Sequence, residues 1–186
     1  RDSFTEAETA TVLRQLLLAV AHMHARGICH RDIKPQNIVC VEPPPSASMS
    51  DQIAFEWRIK LCDFGMSKEL EANGVMSTPC GSKHYVAPEV LQHSYDVKVD
   101  VWSVGCIGYL LMCGQPPAAE AHGGEASLAA AVGLFAGPAW EHVSNEAMGL
   151  LRSLLTFNAS DRPSAAEALQ CEWLQTAPST PLLTPR

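Results

Sequence analysis

The chain has 186 residues, 47% hydrophobic and 18% charged, which fits one well-filled core and is short of a second full domain. Thirteen basic residues against twenty acidic ones leave a formal charge of −7, which argues against a nucleic-acid-binding role. Seven cysteines, at 29, 40, 62, 80, 106, 113 and 171, make no C-x-x-C pair and no Cys/His set at zinc spacing, so they read as reduced thiols of a cytoplasmic or nuclear protein.

Thr5 and Glu8 form a capping box for a first helix, in which Val12, Leu13, Leu16, Leu17, Val20 and Met23 recur at helical spacing. Gly27 marks its stop. A short strand is predicted around Ile38–Val41, then a proline- and serine-rich loop at 42–52, then a second strand at 57–62 from the alternation in "FEWRIKLCDFG". Residues 66–86 show no period and read as one long functional loop. From Val99 onward the pattern is helical. A buried helix spans about 100–113, too short to cross a bilayer, and another is packed around Leu150, Leu151, Leu154 and Leu155. A last helix opens with a second capping box, Ser164 with Glu167, and ends near Trp173 and Leu174. The tail at 175–186 reads as disordered. No signal peptide is visible.

The chemistry gathers in "CHRDIKPQNIVC", residues 29–40. Charged side chains beside a buried strand need a partner or a task. Asp32 is a candidate base that orients a substrate hydroxyl and accepts its proton. Lys34 places a cation beside a migrating phosphoryl group. Asn37 offers an amide oxygen to Mg²⁺, and Asp63, in "DFG" after the second strand, adds a carboxylate to the same cation. A hydroxyl positioner, a neutralising cation and oxygen ligands are together what phosphoryl transfer requires.

"HRDIKPQN", "DFG", "APE" and "DVWSVGC" occur in an order that resembles the catalytic lobe of eukaryotic protein kinases. The resemblance implies a mainly α fold: the large, C-terminal kinase lobe over 1–174 with a small β-hairpin at the active site, the β-rich N-terminal lobe lying outside this chain. It makes Asp32 the catalytic aspartate, Lys34 the phosphate-stabilising lysine, and Asn37 and Asp63 the metal ligands, with ATP and Mg²⁺ as nucleotide and metal. Val39 becomes the apolar floor under adenine. His30 and Phe64 match the inner hydrophobic spine, anchored by Asp100, and Glu89 in "APE" matches the acid that pairs with Arg162. A lysine at position 34 resembles the serine/threonine class. "STPCGSKHYVAPEVL" and "YDVKVDVWSVGCIGYLLMCGQPP" are closest to the calcium/calmodulin-dependent group.

The same resemblance makes Arg31 a cation awaiting an anion, supplied by a phosphate that an upstream kinase places on Thr78, the alternative being an ordinary loop hydroxyl at Thr78 with Glu69 or Glu71 supplying the charge. Ser82 stands where the family usually has threonine, bridging the catalytic aspartate and lysine. Met66 favours serine over threonine in the protein substrate. Gln36 replaces the glutamate with which many relatives read a basic substrate, so that preference stays open. The glycine-rich phosphate loop and the lysine with its helix glutamate would precede residue 1, and Gly123-Gly124 comes too late to replace them. The expectation is a lobe of a serine/threonine kinase, inactive by itself. The alternative is a non-catalytic kinase-like binding module, against which the intact Asp32, Lys34, Asn37 and Asp63 argue.

Overall fold

The computed structural model describes residues 4–41, 58–70, 74–117 and 134–176. Helices dominate: α1 (Glu6–His24), α2 (Lys98–Cys113), α3 (Asn145–Leu154), α4 (Ala165–Ala168) and α5 (Glu172–Gln175). Four short strands form two antiparallel pairs, β1 (Ile28–Cys29) with β4 (Lys68–Glu69), and β2 (Ile38–Val41) with β3 (Arg58–Leu61).

α1 starts at the capping box read from the sequence. The Glu8 amide donates to Thr5 Oγ1 and the Thr5 amide to Glu8 Oε2, at 3.3 and 2.8 Å. Leu13, Leu16, Leu17 and Val20 are fully buried in one cluster with residues of α2, α3 and α4. α2 is apolar nearly all round, as a central helix must be. Two of its glycines set how closely its neighbours approach. A Cβ on Gly108 would sit 2.5 Å from Leu151 Cδ2 and 2.8 Å from Leu13 Cδ1, and one on Gly105 would sit 2.9 Å from Leu154 Cβ. α1 and α3 thus close onto bare backbone, and the core is filled from both sides.

Three features differ from the sequence expectation. The last helix is two, α4 and α5, because Cys171 turns extended (φ −61, ψ 126) after the amides of Gln170 and Cys171 bond three residues back. The break buries Leu174 completely and lets Trp173 Nε1 reach Glu6 Oε2 at 3.2 Å. The stretch 66–86 is not uniformly loop: β4 pairs with β1, and Met76 and Tyr95 exchange both backbone bonds at 2.8 and 3.0 Å. Two-residue strands are too short to show a period. α2 also begins at Lys98, two residues ahead of the expectation. The insertion at 42–52, Trp57 in the predicted second strand, Gly123-Gly124 and the tail from 177 lie outside the described residues. Among the described residues no helix is long and apolar enough to cross a membrane.

Candidate active site

The site rests on one carboxylate of the core. Asp100, in the first turn of α2 and fully buried, accepts the amides of His30 and Arg31, each at 2.8 Å, and lies 2.9 Å from His24 Nε2 at the end of α1. Arg31 takes a left-handed backbone (φ +68), which a long side chain rarely adopts and which surrounding bonds must hold. Gly81 lies flat on this turn, at φ +106, where a Cβ would come within 3.0 Å of the Arg31 carbonyl. Loop 30–37 is therefore clamped between α2 and the 81–82 strip.

Above that clamp the predicted polar residues converge. Lys34 Nζ donates to Asp32 Oδ2 at 2.6 Å and to Ser82 Oγ at 3.1 Å, and Ser82 Oγ donates to Asp32 Oδ1 at 2.9 Å. Asn37 Nδ2 donates to the Asp32 carbonyl at 2.8 Å and to Oδ2 at 3.2 Å. Both acceptors are oxygens without a proton to give, which fixes the amide nitrogen inward and leaves the Asn37 oxygen for a cation. Burial alone would push the Asp32 carboxyl up. The bonds from Lys34 and Ser82, the Lys34 charge and the Asn37 amide outweigh it and hold the group below the usual carboxylate range. Asp32 is 5% exposed, a carboxylate set in a nearly closed ring of donors that keeps it ionised.

Asp63 stands outside this ring. It is exposed, has φ +60, and its Oδ1 accepts the Gly65 amide at 3.2 Å. The Cys62 amide donates to the Asn37 carbonyl at 2.9 Å, so both proposed metal ligands sit within one residue of the same cross-strand bond. Among the described residues no group of three or more His, Cys, Asp or Glu forms a metal cage. Two protein oxygens of this kind suit Mg²⁺, which takes few protein ligands and keeps several waters.

His30 is fully buried. Its Nδ1 accepts the Asp32 amide at 3.4 Å and its Nε2 faces the Cys62 carbonyl at 3.2 Å, so the proton sits on Nε2. Its ring lies 5.0 Å from that of Phe64. Phe64 and Val39 remain half exposed, at 52% and 50%.

Arg31 is the hub of the other side. Its Nε donates to the Met66 carbonyl at 2.6 Å and its Nη1 to the Tyr95 hydroxyl at 3.4 Å. Tyr95 in turn donates to the Thr78 carbonyl at 2.5 Å, and its hydroxyl lies 3.7 Å from Cys80 Sγ. The Thr78 side chain is exposed. Tyr95 was not legible as a site residue, because its role depends on partners 17 and 64 positions away. The place of His24 likewise depends on Asp100, 76 positions away. Glu89 and Arg162 form a bidentate pair at 2.6 and 3.0 Å, and the guanidinium also donates to the carbonyls of Lys98 and Thr156 at 2.9 and 3.1 Å. Gln36 is exposed on the short 3₁₀ turn Pro35–Asn37.

A model of the protein kinase domain matches residues 1–174. MAP kinase-activated protein kinase 2 of Drosophila melanogaster is 35% identical, covering 99% of this chain and 51% of its own length. Calcium/calmodulin-dependent protein kinase type 1 of Macrobrachium nipponense is 37% identical over 94% of this chain and 48% of its own. The human type IV enzyme is 36% identical over 92% and 35%. The chain thus spans about half or less of the length of these relatives.

Proposed function

The chain belongs to the protein kinase domain family, and from that premise we propose that it is the large lobe of a serine/threonine protein kinase, transferring the γ-phosphate of ATP to a protein hydroxyl. The observation that carries this reading is the ring joining Asp32, Lys34, Asn37 and Ser82. It keeps an ionised carboxylate pointed at one place and a lysine charge beside it.

Each residue then has a step. The substrate hydroxyl lies against Asp32, its oxygen bonds to the γ-phosphorus, the bond from that phosphorus to the bridging oxygen of ADP breaks, and the hydroxyl proton passes to Asp32. A carboxylate held below its usual range is a weak base, so Asp32 orients the hydroxyl until its proton has grown acidic late in transfer. Lys34 offsets charge on the phosphoryl oxygens. Asn37 and Asp63 would hold Mg²⁺, which would supply positive charge to offset that of the phosphate groups. Arg31, tied through Tyr95 to the backbone of Thr78, is placed to read a phosphate on that threonine. Serine as the favoured acceptor rests on Met66 alone.

We place the adenine roof and the grip on the α- and β-phosphates in an N-terminal lobe, and the half-exposed Val39 and Phe64 support a body that covers them. The test uses the full polypeptide with ATP, Mg²⁺ and a serine peptide. Asp63→Asn is expected to abolish labelling of the peptide while the protein stays folded. Absence of transfer in the unmodified protein, with partner binding intact, would instead establish the non-catalytic module.

A further inference from the structure

We propose that this lobe selects substrates carrying an anionic side chain, carboxylate or phosphate, within three residues of the acceptor serine, and that Lys83 reads it. The inference rests on the kinase reading and names the substrate class of that same site.

The argument begins with Ser82. Its hydroxyl touches the catalytic carboxylate at 2.9 Å, so the residues following it border the place where the acceptor hydroxyl must lie. The amides of Tyr85 and Val86 both return to the Ser82 carbonyl, at 2.8 and 3.1 Å, closing a turn whose two central residues are Lys83 and His84. Tyr85 and Val86 tuck partly into the core below, while Lys83 and His84 are exposed. The turn therefore lifts a cation and an imidazole into solvent beside the chemistry. Among the described residues no carboxylate pairs with either.

Reach sets the distance. A lysine stem of five bonds of about 1.5 Å extends roughly 6 Å, and one further Cα step of 3.8 Å brings the total to about 10 Å from Ser82. That equals about three residues of extended peptide at roughly 3.4 Å each.

Sign sets the preference. Gln36, exposed on the catalytic loop, is neutral and offers no acid to a basic substrate. The carboxylate of Asp32 is already committed to Lys34, Ser82 and Asn37. Among the described residues, the charge that the Ser82–Val86 turn sets beside the acceptor is thus positive in a chain whose net charge is −7, which repels a basic flank and attracts an anionic one. An arginine-flanked peptide would meet Lys83 with no acid to offset it.

The test is a positional scan in the full polypeptide. Serine peptides carry alanine, arginine, glutamate or phosphoserine at each of the three positions on either side of the acceptor. Turnover with ATP and peptide affinity by fluorescence anisotropy are both recorded. Glutamate or phosphoserine at one position is expected to raise kcat/KM about tenfold over alanine, and Lys83→Glu to invert that preference towards arginine. The glutamate and phosphoserine arms tell a carboxylate from a phosphate. Arginine favoured at every position, or a preference unmoved by Lys83→Glu, overturns the proposal. If no peptide is phosphorylated the kinase reading fails, and affinity then decides this inference separately: it stands if Lys83→Glu inverts the binding preference and falls if it does not.

Discussion

Two buried ion pairs, about equally short, do opposite work in this molecule. Glu89 and Arg162 meet at 2.6 Å with the arginine side chain fully buried, and the guanidinium spends its other donors on backbone carbonyls. Its face also lies 5.0 Å above the Trp102 ring. Nothing is left over for a ligand. Asp32 and Lys34 also meet at 2.6 Å, but the lysine is 23% exposed and both partners share a third residue, Ser82, from another segment. The first pair is closed and joins the segment carrying Glu89 to the entry of α4. The second is open at one side and, on the kinase reading, is free to exchange a partner for a substrate. A buried pair is structural when its donors are all used inside, and functional when one face still meets solvent.

Breaking the closed pair has the largest expected effect on folding. Arg162→Ala strands the Glu89 carboxylate and should cost about 3–5 kcal/mol, read as a lowered urea midpoint. The double replacement Glu89→Leu with Arg162→Met should recover most of that loss, because paired apolar groups replace paired charges. If Arg162→Ala left the midpoint unchanged, the two pairs would not differ in kind.

Asp32→Asn in the full polypeptide should cost about two to four orders of magnitude in transfer and much less in stability than Arg162→Ala. The pH dependence carries the sign. The Asp32 carboxyl is held below its usual value in the fold, so its stabilisation is fully present above the unfolded value of about 3.9 and is lost as pH falls through the lower folded value. The stability gap between the wild type and Asp32→Asn should therefore narrow in acid. A gap that widens in acid would contradict the ring of donors.

Tyr95→Phe is the smallest change. It keeps the ring packing and removes one hydroxyl, at a cost of about 1 kcal/mol. Amide exchange should quicken across 76–80 and hardly at all in α1, and activation by phosphate on Thr78 should weaken. Equal protection in both proteins would detach Tyr95 from Arg31.

Much of the site was legible in the sequence because its residues are close in sequence. Asp32, Lys34 and Asn37 lie within six positions, and both capping boxes have three-residue spacing. The long helices announced themselves by buried leucines and valines. What stayed hidden depends on distant contacts. Neither half of the β1–β4 pair has enough residues to show alternation, and Tyr95 is an ordinary tyrosine until Met76 and Thr78 are laid beside it. The break at Cys171 has no glycine or proline to mark it. It follows from tertiary burial of Leu174 and the reach of Trp173 to Glu6, which local propensity does not contain.

Asp100 carries a further consequence. The amides of His30 and Arg31 end on a carboxylate in the first turn of the most buried helix. Their protection from solvent is therefore that of α2, and the backbone of the His30–Arg31 turn opens only when the centre of the core opens. An irregular loop has been given the lifetime of a core element, and the ring around Asp32 stays aligned for as long as the domain stays folded.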